Sequence, residues 1–84
     1  METHYSQEVQ HQSAVYHRNA GNHFAMAAKL HLAAAEADDR GDVVGASHHA
    51  YLAYGHQVHA VYYSTMAAKM DRQVADDGLD SSAV

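Results

Sequence analysis

Bulky and apolar residues recur at spacings of three and four near the start of the chain: Tyr5, Val9, Gln12, Tyr16, Asn19, His23, Met26 and Leu30. That period predicts an amphipathic helix over about 5–39, with Gln12 and Asn19 as polar interruptions of the stripe. Gly21-Asn22 is the weak point, where a kink or a break into helices of about 5–20 and 23–39 is expected. A second stripe follows at the same spacings: His49, Leu52, His56, His59, Tyr63, Met66 and Met70. It contains no charged residue and predicts a helix over about 43–74. Between them stands Asp38-Asp39-Arg40-Gly41-Asp42. Gly41 suits the left-handed position that ends a helix. Asp42 suits the N-cap of the next, where its carboxylate accepts from free backbone N–H groups. The Arg40-Gly41-Asp42 tripeptide is thereby read as capping chemistry rather than as an adhesion motif. Asp76-Asp77-Gly78 closes the second pattern, and 79–84 is expected to be a disordered tail.

Two helices of about 32 to 34 residues, each roughly 50 Å long, joined by a tight turn make a long antiparallel hairpin. The expected fold is therefore all-α, with residues 1–78 as a single helical-hairpin domain. A lone hairpin leaves broad sides uncovered, here those bearing Ala27, Ala34, Tyr54, Val58 and Val61. Two hairpins packed face to face would bury them, so we expect dimerisation into a four-helix bundle. With the turn centred near Gly41, residues whose numbers add to about 82 should face each other. His59 then meets His23, His56 meets Met26, and His31 approaches Tyr51 and Leu52.

Composition supports this outline. The 84 residues include no proline and five glycines, a bias toward uninterrupted helices. A chain this short buries a limited core, which makes a partner chain a natural source of further burial. There is no cysteine, which excludes disulfides, thiolate catalysis and Cys-based metal sites and fits a reducing, cytoplasmic setting. No basic-then-apolar leader opens the chain, and no run of about 18 apolar residues occurs, so neither a signal peptide nor a membrane partner is expected. The formal charge is −5, and the five cations Arg18, Lys29, Arg40, Lys69 and Arg72 are scattered. A nucleic-acid partner would want them clustered.

The candidate chemistry lies in the nine histidines. Ser47-His48-His49-Ala50 and His56-Gln57-Val58-His59 crowd four of them into one segment. His49, His56 and His59 fall on the stripe that should pack rather than on the polar face. With His23 across the hairpin, His56 and His59 form a plausible three-ligand set, and His49 lies one heptad away. Neutral imidazole is a good ligand for Zn, Ni or Cu, and Met26 and Met66 nearby offer soft thioethers. The other reading is a semi-polar core. There histidines bridge hydrogen-bond partners, among them the hydroxyls of Tyr5, Tyr16, Tyr62 and Tyr63, and fix register. A third is a pH-responsive assembly: protonating all nine histidines takes the formal charge from −5 to +4. His4, His11 and His17 are read as solvated residues of the first helix.

Catalytic patterns are thin. Glu8-Val9-Gln10-His11 has the ExxH form of di-iron bundles, but Glu2, Glu8 and Glu36 are too few for that chemistry. HExxH, a nucleophile elbow and a phosphate loop are absent. A Ser-His-Asp triad is not excluded by composition. The expected function is a non-enzymatic, self-associating helical bundle protein whose His-rich seam binds a transition metal. The alternative is a structural or protein-interaction module with hydrogen-bonded core histidines.

The stretch AAKLHLAAAEADDRGD followed by ASHHAYLAYGHQVHA resembles short, alanine- and histidine-rich helical proteins of bacteria. Their pattern has repeated H-x-x-A-A units, a Gly-Asp turn, then H-A-x-x-A-x-G-H-x-x-H-A, and the match covers roughly residues 17–70. The chain departs from it at Tyr16, Tyr51, Tyr54 and Tyr63, where His or Glu is frequent. The resemblance implies a helical hairpin and carries no activity with it.

Overall fold

The computed structural model describes the backbone of residues 2–83 and the side chains of residues 7–76. Tyr5 of the first stripe, His4 and residues 79–84 fall outside the described side chains, but the backbone of the second helix continues past the close expected at Asp76-Asp77-Gly78 as far as Ala83. Two helices make up the fold: α1 (Glu2–Asp39) and α2 (Val43–Ala83). They form the expected antiparallel hairpin, a ribbon one helix thick with extents of 64 × 19 × 13 Å. Among the described residues no helix is long and apolar enough to cross a membrane.

α1 passes through Gly21 without interruption, so the break expected at 21–22 does not occur. Glycine costs a helix interior only about 1 kcal/mol relative to alanine. Packing of α1 on α2 along both sides of that point outweighs it. Gly21 faces open space, with nothing within 4 Å of where its Cβ would stand.

The corner is built as its sequence suggests. Gly41 adopts φ 78°. Its N–H donates to the Asp38 carbonyl at 2.9 Å, and the Asp42 N–H donates to the Ala37 carbonyl at 2.8 Å. These two bonds satisfy carbonyls that the end of α1 would otherwise leave open. Asp42 then caps α2, accepting from the Gly45 N–H at 2.9 Å. A methyl group on Gly45 would collide with that carboxylate. Gly41→Ala is expected to destabilise the hairpin by about 1–2 kcal/mol, since an L side chain disfavours the left-handed conformation by that amount. A lowered urea midpoint with an unchanged slope would record it.

The helices meet along a line of small residues. Ser13, Ala20, Ala27 and Ala34 on α1 are buried at seven-residue intervals, as are Ala46, Ala53, Ala60 and Ala67 on α2. Ser13 lies against Ala67, its Oγ 3.4 Å from that carbonyl oxygen. The antiparallel register then sets Ala20 against Ala60, Ala27 against Ala53 and Ala34 against Ala46. The residue-number total is therefore 80, two short of the expected 82, because the chain reverses about Arg40 rather than Gly41.

Four described residues of each predicted stripe belong to this interface and three do not. Tyr16, His23, Leu30, His49, His56, Tyr63 and Met70 are half-buried beside the seam, and Val9 is buried. Gln12, Met26, Leu52 and His59 are exposed one position off it. Gln12 is exposed and Asn19 half-buried, so neither is a polar defect in the core; Ser13 and Ala20 take the buried positions. Of the residues expected on uncovered sides, Ala27 and Ala34 lie in the seam, whereas Tyr54, Val58 and Val61 are exposed as expected. The cause is steric: methyl-sized contacts let two helices approach to the lower end of the usual 8–10 Å, which pushes large side chains to the flanks.

One broad side of the ribbon consequently carries Tyr16, Asn19, His23, Met26 and Leu30 from α1 with Leu52, His56, His59, Tyr63 and Met66 from α2. No charged residue lies among them. The outward face of α1 is different, presenting His11, Arg18, Lys29 and Glu36 to solvent.

Candidate functional site

The histidine seam brings both arms of the hairpin together near the middle of the uncharged side. His23 Nδ1 lies 2.9 Å from His56 Nδ1. That distance requires one ring to carry its proton on Nδ1 and donate it to the bare Nδ1 of the other. The rings' centroids are 5.1 Å apart, and His59 stands edge-on to His23 at 5.2 Å. Tyr63 stacks on the same imidazole at 5.7 Å with an interplanar angle of 10°. Tyr63 in turn stacks with Tyr16 at 6.0 Å and meets Tyr62 edge-on at 5.3 Å. The result is a ladder of rings alternating between α1 and α2. His56 faces His23 instead of the expected Met26, a consequence of the shifted register.

Partial burial, and then the neighbouring charges of His56 and His59, hold His23 below the ordinary imidazole value of 6.5. The fold therefore favours the neutral ring. That share of stability is complete above 6.5 and is lost as pH falls from there through the lowered folded value.

Of the four residues expected to hold a metal, His23, His56 and His59 converge. His49 does not join them: seven residues from His56, it sits about 10 Å along the helix. Its nearest ring is His48 at 5.9 Å, and its buried Nδ1 has no hydrogen-bond partner among the described residues. Among those residues no group of three or more His, Asp or Glu is arranged within one chain to hold an ion. An open groove of about 400 Å³ runs beside the cluster, lined by Tyr51, Leu52, Tyr54, Gly55, Val58 and the two histidines 56 and 59.

A second polar cluster crosses the hairpin near its open end. The Ser13 hydroxyl donates to Asp71 Oδ1 at 2.5 Å, and the His17 Nε2 stands 2.8 Å from Asp71 Oδ2. Ser13 is 2% exposed. Serine, aspartate and histidine do meet here, in the wrong order for nucleophilic catalysis. The hydroxyl faces a carboxylate, and no imidazole is placed to take its proton. The arrangement is a clamp that ties α1 to α2. His17, read from sequence as a solvated residue, is one of its parts. The only advance sign was Ser13 at heptad spacing from Ala20, Ala27 and Ala34.

Hydrogen bonds from His17 and then Ser13 hold the Asp71 carboxyl below its ordinary value of 3.8, against a smaller opposing effect of desolvation. Folding favours the carboxylate, so this share of stability is present above 3.8 and disappears as pH falls through the lowered folded value. Urea midpoints of the wild type and Asp71→Asn, taken from about pH 6 to about pH 2, are expected to draw together at the acid end. A constant gap would mean that the clamp does not depend on charge.

No protein-family model, curated protein or solved structure matches this chain.

Proposed function

We propose that the chain is a non-enzymatic helical module of the cytoplasm that associates with a second copy of itself through the side carrying His23, His56 and His59. The observation that carries this reading is the inverted distribution of side-chain size. The seam within the hairpin is filled by alanines, one serine and Val9, while Met26 and Leu52 remain 42% and 38% exposed on a side without charge. A buried methyl contributes about 0.8 kcal/mol, against about 1.5–3 kcal/mol for a fully buried leucine or methionine. Much of the chain's capacity for apolar burial is thus unused in one hairpin.

A second copy suits this side better than an unrelated partner of opposite charge, because the surface offers no charge to complement. Two such layers stacked face to face make a four-helix bundle. The His23–His56 hydrogen bond and the tyrosine ladder favour a role for the histidines in fixing register and partner, since a buried polar pair penalises misaligned packings. Sedimentation equilibrium on the full chain tests the reading. A mass twice the 9.2 kDa of one chain is expected. A single 9.2 kDa species at tens of micromolar would refute it.

A further inference from the structure

The geometry points to a metal site shared between two copies, in which each contributes His23 and His56 to one Cu(II) or Ni(II) ion. This rests on the self-association just proposed. The two Nδ1 atoms are 2.9 Å apart. With metal–nitrogen distances of about 2.0–2.1 Å, that separation subtends an angle of about 90° at the ion. Tetrahedral zinc would want about 3.3 Å between the same atoms. A right-angled pair is half of a square plane, the arrangement that Cu(II) and Ni(II) prefer with nitrogen ligands.

One chain supplies only this half, and its described residues do not complete it. The missing half has a natural source. His59 sits midway along the stripe from His49 to Met70, and His23 lies within about one turn of the middle of Val9 to Leu30. A two-fold axis across the helices that covers the whole uncharged side passes near that middle and brings the cluster close to its own copy. An axis along the helices sets the two clusters at equal height. Either symmetry closes the assembly. Loading needs a change of tautomer and a turn of both rings. In the hydrogen bond the two Nδ1 positions point at each other; the donating ring moves its proton to Nε2, each ring then swings its Nδ1 lone pair off the line between them toward the ion, and no net proton is released from neutral rings. His59, edge-on to His23, remains free to approach from the axial direction.

The test adds copper(II) chloride to untagged full-length protein, with glycine present to strip weak sites, and reads stoichiometry and the electron paramagnetic resonance spectrum. One tight ion per two chains is expected, with a tetragonal spectrum split by several nitrogens. His23→Ala and His56→Ala should each remove it, and His48→Ala should retain it. One ion per chain, or a tight site indifferent to His56→Ala, would overturn the shared site. Sedimentation of the same metal-free samples separates the two ideas. A dimer without a tight site overturns the metal site alone, and a monomer without one removes the self-association beneath it as well.

Discussion

Ala60→Leu is expected to lower the stability of the hairpin by about 3 kcal/mol, a large fraction of what a chain of this size has. Ala60 is fully buried, and the register sets it against Ala20 of α1. Three added carbons have no void to enter. They either drive the helices apart along their length, opening the contacts above and below, or force a strained rotamer against the backbone of α1. Overpacking ordinarily costs 1–3 kcal/mol, and a seam of methyls has less freedom to adjust than a core of leucines. Ala28 provides the control. It is exposed on α1, so Ala28→Leu adds the same carbons with a change within about 0.5 kcal/mol. Thermal unfolding followed by circular dichroism compares the two, and equal melting temperatures would show that the helices do not meet on this line.

The second large effect concerns the uncharged side. The double variant Met26→Glu with Leu52→Glu is expected to weaken self-association by at least about 100-fold, roughly 3 kcal/mol. The two-fold places four carboxylates in one interface, where each would be desolvated beside others of the same sign. Both positions are more than a third exposed in the hairpin, so the helical content of the separate chains should survive. Leu32→Glu serves as the comparison. Leu32 is 67% exposed on the outward side of α1, beside residues that already face water, and a charge there should leave association unchanged. Sedimentation velocity over a dilution series reads both, and equal weakening by the two variants would move the interface elsewhere.

Much of this architecture was legible in the residues. Gly41 and Asp42 marked the corner because left-handed backbone and N-capping each demand particular side chains, and few others meet both. The all-helical hairpin followed from period and from the absence of proline. The core was less legible. Weighting the stripe by bulk drew it through Gln12, Asn19 and Met26, whereas the helices touch at Ser13, Ala20 and Ala27 one position further on. The seven-residue recurrence of Ala20, Ala27 and Ala34, and of Ala46, Ala53, Ala60 and Ala67, was in plain view. Alanine carries too little hydrophobic signal to mark a core by itself, and close helix approach is a property of the pair rather than of either helix. Convergence of His23, His56 and His59 was foreseen even so, because an error of one residue per arm is smaller than the reach of an imidazole. The clamp of Ser13, His17 and Asp71 was not, since its parts lie 54 and 58 residues apart in pairs and none belongs to a local motif.

The account depends most on a second chain covering the His23–His56–His59 side. Mixing ¹³C-labelled with unlabelled chains and recording isotope-filtered nuclear Overhauser spectra tests this directly. Contacts between chains are predicted from the Met26, Met66 and Leu52 methyl groups and from the His56 and His59 rings. Interchain contacts confined to Tyr51 and Tyr62 on the outward face of α2, or no interchain contacts in a sample dominated by single chains, would contradict it.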